Sequence, residues 1–185
     1  GAAAGSDTEA EWEVVGTARQ ILSGGEAIDA ALVKYLVEEF RKSNAIDLRE
    51  DHLALHRLHE AAEGVKSELC TALSADVSLP FISADMDGPK HLELTLSRAR
   101  FDALIEPVLA TAMGVCAAGL ADAGMGPSAV HEVLLLGGAT RLPAVSRELQ
   151  AAFGKEPLRT ARPEEGTALG AAKFARRLQA LEYGT

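Results

Sequence analysis

Aromatic side chains are scarce: Phe, Tyr and Trp together make up 4% of the 185 residues, with a single tryptophan, Trp12. The core of such a chain is aliphatic, drawn largely from Ala and Leu, and rich in helix. Cysteine is nearly absent. Cys70 and Cys116 form no CxxC pair, which gives no support to a metal site. Each falls in an apolar helical stretch, the setting of a buried free thiol in a reducing compartment. Basic charge is also short, with 18 Lys and Arg against 27 Asp and Glu and a net charge of −9. A nucleic-acid groove needs clustered cations to neutralise phosphates, so that class is excluded. The densest basic cluster, Lys173, Arg176 and Arg177, has helical spacing and reads as a solvated helix face. No apolar run approaches bilayer length, so no membrane insertion is expected. The opening GAAAGSDTEA lacks the basic and apolar parts of a signal peptide, leaving residues 1–11 as a flexible lead-in.

What is present is the composition of an ordinary globular protein, 48% hydrophobic and 24% charged, long enough for one core or two small packed lobes. Residues 12–17, WEVVGT, read as a strand that needs a partner from elsewhere. Ile28, Leu32, Tyr35, Leu36 and Phe40 mark the buried face of a helix over Ala27 to Lys42. A second helix runs from about Asp51 to Leu73, with Leu53, Leu55, Leu58, Ala62, Val65 and Leu69 as its apolar stripe. The period then changes to two. Residues 76–82 and 91–96 alternate around an Asp87-Gly88-Pro89 turn and predict a β-hairpin with one wet face. Ser97 is a good N-cap for a helix over Arg98 to Asp122, in which Pro107 predicts a kink or break and after which Gly124 closes the end. Val133 to Leu136 reads as a short strand covered on both faces. A helix from about Leu142 to Phe153, a short edge segment through Leu158 and a last helix from Pro163 to about Leu181 complete the chain. The order is that of an α/β lobe with an inserted subdomain. A core comprises residues 12–27 and 106–173, a helix-plus-hairpin insertion 28–105, and a helix end 174–185.

Three constellations can carry chemistry. In VLLLGGATRLP (133–143), Gly137 and Gly138 separate a strand from a helix, where backbone N–H groups suit an anion or a polar ligand edge. Arg141 adds a planar cation able to stack on a base. The plainer reading is a tight turn, since the pattern is neither GxGxxG nor a P-loop. Glu63, Lys66 and Cys70 lie at i, i+3 and i+7 on one helix face, either as a grip for hydroxyls or ring nitrogens or as a surface ion pair. His52 and His56 have the i, i+4 spacing of metal ligands, with His59 close by, yet no HExxH pattern accompanies them. No signature joins Ser, His and Asp into a triad.

These stretches, taken together, resemble the second lobe of the nucleotide-binding domain of heat-shock protein 70 chaperones, in the bacterial and organellar branch. The resemblance rests on residues 35–69, 79–101 (LPFISADMDGPKHLELTLSRARF), ADAG at 121–124, VLLLGGATRLPAV at 133–145, FGKEP at 153–157 and RPEEGTALGAA at 162–172. It implies an actin-like ATPase fold of which this chain is lobe II. Gly137, Gly138, Ala139 and Arg141 would lie at the adenosine of ATP or ADP, with Arg141 against the base. Glu63, Lys66 and Cys70 would form the other wall, and Glu164, where the family usually has Asp, would lie near the same pocket. The block from Ile28 to Arg100 would face a nucleotide-exchange factor.

The departures are equally specific. Residues 19–25, RQILSGG, stand where the family usually reads Gly-Asp-Thr-His-Leu-Gly-Gly, Cys70 replaces a serine, and Met113-Gly114-Val115 replaces Ile-Glu-Pro. The family's phosphate loops, catalytic lysine and magnesium-binding aspartates have no counterpart here, which leaves no catalytic residues and no metal of the chain's own. The expectation is half an ATP site, weak or lost, in a chaperone fragment of protein folding and the stress response that does not hydrolyse alone. The alternative is a degenerate lobe serving as a non-catalytic structural subunit. A standalone enzyme would need a catalytic set that is not visible. The expected partner is the missing first lobe, or another subunit pairing near Trp12–Thr17. The setting is a mitochondrion or other organelle of bacterial descent, or else the bacterial cytoplasm.

Overall fold

The computed structural model describes residues 13–21 and 24–183, with the side chains of the last helix to residue 179. Five helices and two small sheets follow in the order α1 (Gly25–Asn44), α2 (His52–Glu68), β1 (Ser74–Asp85), β2 (Gly88–Ser97), α3 (Arg98–Asp122), β3 (Leu134–Leu135), α4 (Pro143–Phe153), β4 (Leu158–Arg159) and α5 (Gly166–Tyr183).

The core forms where the apolar stripes of α1 and α2 meet the inner face of the β1–β2 hairpin and the first half of α3. Ile28, Leu32, Leu36 and Phe40 are buried as their spacing predicts, and Leu58, Ala62, Val65 and Leu69 oppose them. Phe40 and Phe101 are fully enclosed, each contributing roughly 2–3 kcal/mol by leaving water. Tyr35 is half-buried, its ring 5.4 Å from the guanidinium of Arg100. Leu53 departs from the stripe: in the first turn of α2 it is 73% exposed, while its neighbour Ala54 is buried in the core. The Asp51 carboxylate caps α2 by accepting from the Ala54 N–H at 2.9 Å. This helix ends at Glu68, five residues before the predicted Leu73. Tight turns at Cys70 and Thr71 then carry the chain so that the Leu73 carbonyl accepts from the Arg98 N–H at 2.8 Å.

The hairpin is longer than its alternation suggested, with Met86-Asp87 rather than Asp87-Gly88-Pro89 at the tip and Asp85 paired to Gly88. Its register shifts between Leu79 and Ser83. Ala75 and Val77 point inward, but beyond the bulge the buried residue is Ile82, and Phe81 is turned out with 69% of its surface exposed. The bulge places two extra residues on β1, three opposite the single residue His91, and breaks the alternation there.

Ser97 caps α3 through its hydroxyl, which accepts from the Arg100 N–H at 3.2 Å. Pro107 neither breaks nor ends this helix, which runs unbroken to Asp122. Gly124 and Gly154 take the left-handed conformation at the ends of α3 and α4, as expected of C-terminal glycines.

Three expectations need correction. Residues 13–20 form no strand; they are irregular, held to the end of α3 by the Thr17 N–H, which donates to Asp122 at 2.9 Å. Trp12 lies outside the described residues. Second, β3 is only two residues long and pairs in parallel with β4. Leu135 is buried, but Leu134 and Leu136 are exposed, so one face is open rather than both covered. Third, α3 is long and apolar enough to cross a bilayer by length and composition, with only 11% of its most apolar 18-residue stretch buried. Its hydrophobicity is spread over Ala, Leu, Val, Ile, Met and Cys, interrupted by Asp102, Glu106 and Pro107, so no unbroken apolar run of bilayer length marks it in the sequence. Phe101, Ile105 and Leu109 anchor its first half in the shared core, so α3 is a core helix with an uncovered outer end.

Candidate functional site

The predicted site residues come from three places in the chain, and two of these, α2 and the Gly-Gly turn, meet at the N-terminal turn of α1. A Cβ placed on Gly25 would lie 3.5 Å from Lys66 Nζ and 3.9 Å from the Ala139 Cβ. This glycine therefore touches α2 on one side and the Gly-Gly turn on the other. Lys66 is fixed there by a 2.6 Å bond to Asp29 Oδ2 and a 3.5 Å contact with the Gly25 carbonyl. One turn further on, the Cys70 thiol donates to the Lys66 carbonyl at 3.4 Å. Burial pushes this thiol up from its ordinary range; the opposing positive charges are Arg141, Lys66, Arg98 and Arg159, in that order. Cations from α2, the start of α3, the Gly-Gly turn and β4 thus all contribute to the field at one half-buried sulfur. Both cysteines are free and half-buried rather than fully enclosed. Glu63 lies on the same helix and is exposed.

The Gly-Gly turn does not lead straight into a helix. Residues 138–141 form a single 3-10 turn, and α4 starts only at Pro143. Gly137 has φ +97°, a conformation for which glycine is required. Its N–H is spent on the Pro163 carbonyl at 2.6 Å, and its carbonyl accepts from both the N–H and the hydroxyl of Thr140. Among the described residues, a Cβ on either Gly137 or Gly138 would meet no atom beyond its chain neighbours within 4 Å, so the space above the turn is open to them. The Gly137 N–H is therefore not free to meet an anion, and the open space above the turn admits a flat ligand against the backbone.

Arg141 is exposed at the end of this turn. Its Nη2 lies 2.9 Å from both carboxylate oxygens of Glu164 and 3.5 Å from the Ala161 carbonyl. The Glu164 carboxyl is held below its usual range, first by its own backbone N–H and then by Arg141. Glu164 belongs to a turn before α5, because the last helix starts at Gly166 rather than Pro163. The close approach of that start to β3 has a cause in sequence: a Cβ on Gly166 would meet Leu136 Cδ2 at 2.3 Å.

Sequence reasoning found Lys66 but missed Asp29 as its partner. It also missed Arg98, whose Nε and Nη2 are buried without a partner. No pattern within a single helix signals either residue, because both act across elements. Among the described residues no group of three or more His, Cys, Asp or Glu is placed to hold a metal. His56 faces Glu60 at 3.6 Å on the open side of α2. Two clefts lie apart from the site: one of about 400 Å³ between α2 and β1, and one of about 190 Å³ beneath the outer half of α3 against α4.

Comparison with known proteins places these features in context. The family model described as Hsp70 protein matches residues 8–182. A curated relative, "Chaperone protein DnaK" of Stenotrophomonas maltophilia (strain R551-3), is 45% identical over 166 residues, 90% of this chain and 26% of the relative. The chain thus spans about a quarter of the length of the relative it matches.

Proposed function

Because the chain belongs to the Hsp70 family, with its actin-like ATPase fold and nucleotide-binding domain, we propose that it is the second lobe of that domain, carrying the adenosine half of an ATP or ADP site. In this reading the base lies over Gly137, Gly138 and Ala139 with Arg141 against its face. Glu63, Lys66 and Cys70 form the opposite wall toward the ribose, and Glu164 borders the base. The observation that carries it is the meeting at Gly25 of Lys66 Nζ with Ala139, two segments separated by more than seventy positions. Open space above Gly138 supports it further. The loop N–H already committed to Pro163 favours base and ribose over phosphate at this turn. Phosphoryl transfer needs a metal, a positioned water and a clamp on the transferred group. Among the described residues no group of three or more His, Cys, Asp or Glu is placed to hold such a metal, and the proposed role of this chain alone is binding without hydrolysis.

The block formed by α1, α2 and the hairpin is, on this reading, the part that faces a nucleotide-exchange factor. A bacterial relative supports a bacterial cytoplasmic setting over an organellar one. Calorimetric titration with ADP is the test: weak binding that disappears in Arg141→Ala is the expected result. No heat at millimolar ADP, or hydrolysis by the isolated chain, overturns it.

A specific observation favours a second reading, a non-catalytic subunit of a larger assembly. The outer half of α3, with Val14, Val15, Leu134 and Leu158, leaves an apolar surface uncovered. This surface fits another polypeptide, either the first lobe or a different subunit. Sedimentation of the natively purified protein decides it. A stable heteromeric species is expected, and a monomer with no associated chain rules it out.

A further inference from the structure

Both cations of the half-site are already held by carboxylates of the chain itself, and the two pairs differ in kind. Lys66 and Asp29 meet at 2.6 Å with side chains only 17% and 16% exposed, so this pair is a fixed part of the α1–α2 contact. Arg141 and Glu164 are each 48% exposed. Such an exposed pair is weak and readily opened. Both carboxylate oxygens of Glu164 converge on one nitrogen of Arg141, which also faces the Ala161 carbonyl.

We propose that Glu164 is an internal competitor for Arg141, an autoinhibitory latch that a ligand must open before the guanidinium can lie against its base. The inference rests on the half-site reading above and adds to it the residue that limits affinity. The latch joins the same two segments that border the turn, yet it is not what holds them. Gly137 donates its N–H to Pro163 at 2.6 Å independently of either side chain. Arg141 can therefore leave Glu164 without unravelling the turn. The neighbouring charge on the Glu164 side, Arg162, is engaged with Glu165 at 3.2 Å and does not replace Arg141. A closed latch offsets the Arg141 charge at the pocket and tethers the guanidinium by an edge nitrogen, Nη2, away from the placement a base requires. At neutral pH Glu164 is ionised, since its carboxyl lies below the usual range, so the closed form is the resting one.

Adenosine is the probe of choice. It is neutral, so removing a negative charge near the site does not attract it through phosphates. Binding is followed by NMR titration of the intact chain, of Glu164→Gln, of Arg141→Ala and of the double variant. Glu164→Gln is expected to bind adenosine about two- to fivefold more tightly than the parent, the range that an exposed ion pair can hold back. That gain vanishes in the Arg141→Ala background, where a role of Glu164 independent of Arg141 would preserve it. Added salt tightens adenosine binding to the parent and leaves Glu164→Gln unchanged. A parent that binds while Glu164→Gln binds equally or less well overturns the latch alone and leaves the half-site standing. Absence of adenosine binding in both overturns the half-site, and the latch with it.

Discussion

Lys66 near the end of α2 and Asp29 in the second turn of α1 form a 2.6 Å ion pair with about five-sixths of each side chain out of water. The second oxygen of Asp29, Oδ1, is buried without a partner. The pair thus joins two helices at the point where the half-site begins, and its geometry leaves no room for substitution of one member alone.

Removing one member strands the other. Lys66→Met or Asp29→Asn is expected to destabilise the fold by about 3 kcal/mol, the lower end of the range for breaking a buried pair. The double variant Asp29→Leu/Lys66→Met recovers most of that loss, because no charge remains unpaired. Urea unfolding of the three variants checks this. Equal losses in the single and double variants would show that packing rather than charge sets the cost.

The helices and their main core faces were legible in the sequence because periodicity reports burial directly: Ile28, Leu32, Leu36 and Phe40 could only make one face. The hairpin was legible as alternation, but not its bulge. Phe81 adopts φ +53°, and its N–H donates to His91 Nδ1 at 3.0 Å, while Arg57 of α2 donates to the carbonyls of Pro80 and Phe81. Those partners lie ten or more positions away, beyond the reach of any local pattern. The site was legible in part. Spacing placed Glu63, Lys66 and Cys70 on one helix face, and the resemblance suggested that Gly137 to Arg141 stand opposite. Neither signalled that Asp29 and Glu164 hold the two cations. Residues 13–17 misled because β-type side chains describe a strand only when a neighbour supplies hydrogen bonds.

The two glycines of the turn separate stability from binding. Gly137 needs φ +97°, so Gly137→Ala forces an L-residue into a strained region and costs about 1–2 kcal/mol. Gly138 carries no such requirement, and a methyl group there meets nothing of the chain within 4 Å. Gly138→Ala is expected to leave the urea midpoint nearly unchanged while weakening ADP binding, because the methyl occupies the space above the turn. Parallel unfolding and calorimetric measurements on the two variants separate these effects. A Gly138→Ala protein that binds ADP as well as the parent places the ligand elsewhere.

At the corner between α1 and α2, the side chains of Asp47 and Arg49 bracket Leu48, which is buried in the core. Arg49 donates to Asp47 from both side chain and backbone, with Nε at 2.9 Å from each carboxylate oxygen, and lowers the carboxyl from 3.8 to about 2. A carboxyl whose value is depressed in the folded state binds its proton more readily when unfolded, so its contribution is present above about 4 and lost as pH falls toward 2. The pair is fully exposed, so the effect is small and screened by salt. NMR titration should therefore place the Asp47 carboxyl near 2 in the parent and close to its ordinary value in Arg49→Ala. Stability of the parent relative to Asp47→Asn is expected to be flat from neutral pH down to about 4 and to converge below it. An advantage for the parent that persists undiminished well below pH 2 would mean that Asp47 acts through something other than its charge.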